Sequence, residues 1–257
     1  MNLLTKLKLR LHKHFGWEFF AHSAYGFDIV ALYDFTGKIS LNGSHSKVIE
    51  DVVNELGQGD CFIDIGANAG IFSLIASRKV GGSGQVISFE PNPDVFRILQ
   101  KNLIKNRSSN VLPFCAGVGS KDELLSFVFD PEHNGLGHLK MNENYQWDRK
   151  NQKETRILVL GHESLSFLKT VTKERRKTII KIDTEGAEYL VLKGLEPHLQ
   201  EISPAKLIVE LSDEHLKRFG NTKEQVYKLM ESLGYQGTIN VAKSGDLDHY
   251  DEVFVKS

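Results

Sequence analysis

Cysteine is scarce: the 257 residues contain two, Cys61 and Cys115. That is too few for a disulfide framework, and their placement matches no metal-ligand spacing. Both lie in or beside apolar runs that read as buried strands, where a free thiol packs as a small hydrophobe, so neither points to an oxidising compartment. No run of about 18 apolar residues occurs, and no membrane-spanning helix is expected. An excess of either charge is missing as well. Lys and Arg number 32 against 33 Asp and Glu, a formal net charge of −1, which leaves no global field to gather nucleic acid or an anionic membrane. Nucleic acid is therefore not an expected partner, and a cytoplasmic location is expected.

What is present fits a folded α/β domain. Hydrophobic residues make up 40% and charged residues 25%, the balance of a globular chain. At this length roughly three quarters of the extended-chain surface leaves water on folding, so no disulfide or metal is needed to hold the core. The segment Met1 to Trp17 is different: it carries Lys6, Lys8, Arg10 and Lys13 with no acid, and Leu3, Leu4, Leu7 and Leu11 fall at helical spacing. This basic amphipathic stretch lacks the apolar core and cleavage site of a secretory signal. Three roles stay open for residues 1–17: docking on the domain, attachment to a membrane surface that would make the protein peripheral there, or contact with a partner.

Alternation from Phe27 to Tyr33, a break at Thr36-Gly37-Lys38 and the run Ile39 to Leu41 predict a short hairpin. Ser46 is the expected N-cap of a helix reaching Leu56, closed by Gly57 and Gly59. Residues 1–57 are thus expected to pack on a core domain of residues 58–257. From Asp60 onward, apolar runs of strand length alternate with helical segments, the pattern of βα units. The expected strands are Cys61 to Ile65, Gln85 to Phe89, Val111 to Cys115, Thr178 to Ile182 and Leu207 to Leu211. Between the third and fourth lie shorter ones, Leu124 to Phe129 and Arg156 to Leu160, joined by a polar loop from Asp130 to Asn151 longer than ordinary connections. A helix from Lys223 to Leu233 and a hairpin of Gln236 to Val241 with Glu252 to Val255 close the chain. The fold class is doubly wound α/β: a mostly parallel, Rossmann-like sheet with an antiparallel C-terminal hairpin.

Phe62-Ile63-Asp64-Ile65-Gly66-Ala67-Asn68-Ala69-Gly70-Ile71-Phe72 runs from an apolar strand through a glycine-bounded turn into an apolar helix. In open parallel sheets ligands bind at such strand ends, where glycine admits close backbone approach. At the end of the next strand Glu90, in Phe89-Glu90-Pro91-Asn92-Pro93, can accept both hydroxyl protons of an adenosine ribose. Pro91 and Pro93 would aim it. Ala116 and Gly117, after the third strand, are small enough for an adenine ring to lie against the backbone, although a plain turn explains them equally. A dinucleotide needs a glycine where Asn68 stands, to make room for pyrophosphate. S-adenosylmethionine has no phosphate, and Asp64 could help to hold its ammonium. The expected cofactor residues are Asp64, Gly66, Ala67, Asn68, Gly70, Phe72, Glu90, Pro91, Asn92, Ala116, Gly117 and Asp183, with no metal assigned.

Three blocks, Asp64 to Gly70, Phe89 to Pro93, and Ile180-Lys181-Ile182-Asp183-Thr184-Glu185-Gly186-Ala187-Glu188 with Leu192-Lys193-Gly194, resemble the FkbM-type methyltransferase family. The resemblance covers roughly residues 58–211, and it implies S-adenosylmethionine-dependent O-methylation of a hydroxyl on a sugar, glycan or natural product. The chain departs from that family's pattern at His138, where a serine is usual, and at Gly161-His162-Glu163, where a Leu-Asp pair is common.

Read from the residues themselves, the strand from Thr178 to Ile182 delivers Asp183, Thr184 and Glu185 to its carboxyl end, beside the glycine turn. A sugar hydroxyl is a poor nucleophile until its proton leaves, so a positioned base speeds its methylation. Asp183 and Glu185 are the candidates, with Glu188 in support and His138, on the long loop, as a further candidate base. Crowding would raise the acids' pKa values. The alternative is helix capping by Asp183 or Thr184, with Glu185 and Glu188 favouring the helix's positive end. Lys181, within an apolar strand, needs a partner if buried. Two other functions fit the same outline: a nicotinamide-dependent oxidoreductase and a non-catalytic nucleoside-binding domain.

Overall fold

The computed structural model describes residues 3–15, 17–30, 35–43, 46–130, 137–139, 152–238 and 248–257. The chain opens with helix α1 (Leu3–Phe15), which docks through Thr5 and Leu9 and leaves Leu3, Leu4 and Leu7 exposed. Strands β1 (Phe20–His22) and β2 (Asp28–Val30) pair antiparallel. Helices α2 (Phe35–Asn42) and α3 (Lys47–Asn54) lead to the core.

The hairpin expected between Phe27 and Leu41 is therefore corrected. Its first strand pairs backward with Phe20–His22 across a tight turn, in which Ser23 N donates to Phe27 O and Gly26 N to Ser23 O. Its second strand is the helix α2. Alternation over three residues does not separate a strand from one helical turn; in α2 Ser40 and Leu41 are both buried. Ser46 precedes α3 as expected, but its hydroxyl donates to Asp251 and accepts no hydrogen bond from the helix amides.

Next come β3 (Cys61–Ile65), α4 (Ile71–Val80), β4 (Gln85–Phe89), α5 (Pro93–Lys105) and β5 (Val111–Phe114). After a smaller sheet the core resumes with α6 (Phe167–Thr172), β10 (Thr178–Ile182), α7 (Glu188–Ile202) and β11 (Lys206–Ser212). Then follow α8 (Asp213–Lys217), α9 (Lys223–Ser232), β12 (Tyr235–Gly237) and β13 (His249–Lys256). The sheet order is β12-β13-β11-β10-β3-β4-β5. The five strands from β11 to β5 are parallel and β13 runs antiparallel to both neighbours. The C-terminal hairpin is thus present with shifted bounds; half of its expected first strand, from residue 239, lies outside the described residues.

Every residue of β3 and of β10 is buried, as required of parallel strands covered by helices on both faces. One layer of core joins α3 and α4 to the sheet through Val53, Phe62 and Leu74; the other joins α7 and α9 through Ile180, Leu195 and Met230. Cys61 lies in this core, whereas Cys115 is exposed just past the end of β5, which corrects its expected burial. Strand order reverses between β3 and β10, and an open crevice forms at such a switch point.

The smaller sheet covers one side of that crevice. It holds β6 (Gly117–Val118), β7 (Glu123–Phe129), β8 (His138–Leu139) and β9 (Lys153–Leu160) in the order β6-β9-β7-β8. Residues 131–136 and 140–151 of the expected long loop lie outside the described residues.

Candidate active site

A cavity of about 250 Å³ opens at the carboxyl ends of β3, β4, β10 and β11. Its floor is the glycine turn after β3. Gly66 has φ +80, and a Cβ there would lie 1.8 Å from the carbonyl oxygen of Asp183, so this turn packs backbone against backbone on the end of β10. The turn's own amides are all engaged. Gly66 N and Ala67 N donate to Phe89 O, Asn68 N to Glu90 Oε2, Ala69 N to Asn68 Oδ1, and Gly70 N to Ala67 O. Asn68, at φ +51, uses its side chain to hold this left-handed turn.

Glu90 is buried, and its second oxygen accepts from Asn92 N at 2.9 Å. Each oxygen thus has one backbone donor and keeps lone-pair capacity toward the cavity. Burial pushes the carboxyl up to about 7, against the pull of the Asn92 and Asn68 amides. Beside it, Ala67, Phe72, Pro91, Ala116 and Gly117 supply small or apolar wall. The smaller sheet adds Phe127, Leu139 and Ile157, and α2 adds Ile39 and Ser40.

Adjacent strands lie about 4.8 Å apart, so with β3 between β4 and β10 the acids Glu90 and Asp183 stand roughly 10 Å from each other. Asp183 lines the cavity next to Lys181, whose ammonium is 3.2 Å from Asp183 Oδ2, 3.4 Å from Asp64 Oδ1 and 3.2 Å from Gly66 O. Burial works against the Lys181 charge, but Asp183 and Asp64 outweigh it and hold its pKa above the usual lysine value. The need for a partner is met. Asp183 is itself raised to about 7, by burial first and then by the Glu210 charge, with Lys181 opposing both. Glu185 is raised well above its ordinary value by burial and by Glu210 and Asp183. Glu210 differs: burial opposes its charge, yet the neighbouring His215 and His249 hold it down at about 2.

Four expected site residues sit elsewhere. Asp64 does not line the cavity; it is fully buried, bonded to Ser73 Oγ at 2.6 Å, and acts on the cavity only through Lys181. Gly70 turns the chain into α4, where a Cβ would meet Leu99 at 2.3 Å. Asn92 caps α5, accepting from Asp94 N. Glu188, also buried, accepts from Thr184 N, Thr184 Oγ1 and Gly186 N and so closes the loop after β10. The residue flanking α7 is Ala187, so neither Asp183 nor Thr184 caps that helix. His138 falls in β8, opposite Val128; its side chain lies outside the described residues. Sequence reasoning missed Ile39, Ser40, Phe127, Glu210, His215 and His249. Only Glu210, an acid within an apolar strand two residues before its end, carried a local signal.

The pattern of the methyltransferase FkbM domain matches residues 64–236. This chain belongs to the FkbM-type methyltransferase family. The match spans the floor, the Glu90 strand, the Asp183 loop and the Glu210 strand of the cavity. "Methyltransferase 1" of Beauveria bassiana is 31% identical over 189 residues, covering 68% of this chain and 75% of that protein. The "hexuronic acid methyltransferase AglP" of Haloferax volcanii is 29% identical over 156 residues, covering 61% of this chain and 58% of its own. Among solved structures, an rRNA-methylase of Clostridium thermocellum aligns with TM-score 0.50 and 11% identity over 82% of this chain and 93% of its own; that likeness concerns the fold. Within this methyltransferase the Rossmann-like sheet is the frame shared with that structure.

Proposed function

We propose that this methyltransferase uses S-adenosylmethionine and methylates a hydroxyl of a sugar, glycan or natural product. The observation carrying the cofactor reading is the full engagement of the amides from Gly66 to Gly70. A dinucleotide's pyrophosphate needs free N–H donors at this turn, and here each already has an acceptor. A phosphate-free adenosyl group needs only ribose acceptors, which Glu90 supplies, and apolar wall. Glu90 would hold the ribose hydroxyls, and Ala67, Phe72, Ala116 and Gly117 the remaining adenosyl surface. When bound, the cofactor supplies a methyl on a sulfonium, which leaves as a thioether as the new oxygen–carbon bond forms.

The chain's own part is positioning and proton transfer. Asp183, at about 7 and facing the cavity, is matched to taking a hydroxyl proton near neutral pH. Lys181 keeps it oriented, and Glu188 fixes the loop that carries it. A hexuronic acid acceptor for one relative supports a sugar as the acceptor class here.

Transfer of labelled methyl from S-adenosylmethionine to glycans and hydroxylated natural products tests the reading, with calorimetry against S-adenosylhomocysteine and NAD. Binding of the former and not of NAD is expected. Asp183→Asn should lower transfer by about 10²–10⁴-fold while S-adenosylhomocysteine still binds. Tight NAD binding, or an unaffected Asp183→Asn, would refute it.

A further inference from the structure

At the β11 side of the cavity three potential donors converge from three separate elements. Glu185 stands on the loop after β10, Glu210 near the end of β11, and His215 within α8. One donor atom from each residue lies within 4.8 Å of the other two, and His215 Nδ1 is 3.2 Å from Glu185 Oε2 and 3.9 Å from Glu210 Oε2. Metal bonds of about 2.1 Å place neighbouring ligand atoms roughly 3.0–3.4 Å apart. All three atoms are buried, and none has a hydrogen-bond partner.

An ion pair alone does not resolve this. A protonated His215 could direct its single Nδ1 proton at one carboxylate, which leaves the other buried oxygen bare. Among the nearby cations Lys181 is engaged with Asp64 and Asp183, and Arg218 reaches Glu214 through Nη2 at 3.4 Å while its Nε is buried and makes no hydrogen bond, to these acids or to any other group. A buried polar atom without a partner is destabilising, more so if charged, so three in one place call for a ligand that satisfies them together. We propose that Glu185, Glu210 and His215 bind a divalent first-row cation at the acceptor end of the methyltransferase cavity.

Two features define the site. The other oxygen of Glu210 accepts from His249 Nε2 at 2.8 Å, the kind of outer hydrogen bond that aims a ligating carboxylate. Glu185 and Glu210 also line the cavity. The three protein donors therefore leave coordination positions open on the side where an acceptor enters, as in catalytic rather than structural sites. One imidazole with two carboxylates suits Mn²⁺ or Zn²⁺ better than Ca²⁺, which takes oxygen ligands. The open positions would take an acceptor that offers two neighbouring oxygens, such as a vicinal diol or a hydroxyl beside a carboxylate. Cation binding stands on this geometry; its use on the acceptor rests on the methyl-transfer reading.

The test is titration of the full chain with Mn²⁺, followed by calorimetry and pulsed electron paramagnetic resonance, with S-adenosylhomocysteine titrated separately. One Mn²⁺ per chain is expected, with modulation from a directly bound nitrogen, and Zn²⁺ should displace it. Glu210→Gln and His215→Gln should each weaken Mn²⁺ by at least about 10–100-fold, and His249→Asn by about tenfold, with S-adenosylhomocysteine affinity kept as proof of folding. His215→Gln should also abolish the nitrogen signal. Absence of Mn²⁺ and Zn²⁺ binding in a chain that binds S-adenosylhomocysteine would overturn the proposal. So would Mn²⁺ binding undisturbed by all three substitutions. Cation binding without S-adenosylhomocysteine binding would instead refute the methyl-transfer reading and leave the metal site standing.

Discussion

Lys181 lies between two acids, one on the neighbouring strand β3 and one just past the end of its own strand, with its ammonium 3.4 Å from Asp64 Oδ1 and 3.2 Å from Asp183 Oδ2. It is the link between a carboxylate sealed beneath the sheet end and one open to the cavity. Removing one partner of a buried pair leaves an uncompensated charge. Lys181→Met should lower unfolding free energy by about 3–5 kcal/mol, read by urea denaturation. Adding Asp64→Asn should recover part of that loss; a double variant as unstable as the sum of both single changes would refute the pairing.

Glu90 links cofactor affinity to pH. Its carboxyl, ordinarily near 4.5, is raised to about 7 by burial. Below pH 4.5 it is neutral in folded and unfolded chains and contributes nothing. Between 4.5 and 7 only the unfolded chain ionises, so the Glu90 contribution to stability falls as pH rises and levels off above 7. Ribose hydroxyls donate best to the charged carboxylate, so S-adenosylhomocysteine affinity should rise toward pH 7, by up to about tenfold per pH unit, and flatten beyond it. Calorimetry in buffers of different ionisation enthalpy should show proton release near pH 6.5. In Glu90→Gln both the pH dependence and the proton release should vanish.

The two turn glycines should not be equivalent. At Gly66 a Cβ would strike the Asp183 carbonyl, which is backbone. At Gly70 it would strike the Cδ1 of buried Leu99, a side chain and not backbone. Both need positive φ. Gly66→Ala should cost more than about 3 kcal/mol, strain and clash together, and Gly70→Ala about 1–3 kcal/mol. Thermal unfolding of the two variants compares them, and a reversed order would contradict the packing of the turn on β10.

Glu188 should behave as a positioning residue. Its carboxylate holds Thr184 and Gly186 and does not reach the cavity. Glu188→Ala should loosen the Asp183–Glu185 loop and lower the rate of methyl transfer at least tenfold, roughly one lost charged hydrogen bond's worth. S-adenosylhomocysteine affinity should stay near wild type. A matching fall in cofactor affinity would place Glu188 in the cofactor site instead.

Hydrophobic periodicity and turn chemistry are properties of neighbouring residues, and what depended on them was legible. The five parallel strands, the glycine turn and Glu90 at the next strand's end all follow from apolar run lengths and the residues that close them. The short segment before the core was not, because Ile39 to Leu41 suits a strand or one turn of helix equally. The competing strand, Phe20–His22, was only three residues long. Asp64 shows a subtler failure. Its place in the motif was read as a ligand contact, but alternation within β3 turns it under the sheet end, where it serves Lys181.

The sequence alone determined that a doubly wound sheet would form, where its ligand crevice would open, and that acids would gather there, because strand direction and βα order carry those facts along the chain. Tertiary structure alone decided which acids face the cavity and which lie beneath it. It alone brought Glu185, Glu210, His215 and His249 together, since they ride on separate elements whose meeting depends on how β11, α8 and β13 pack, and no local pattern records that.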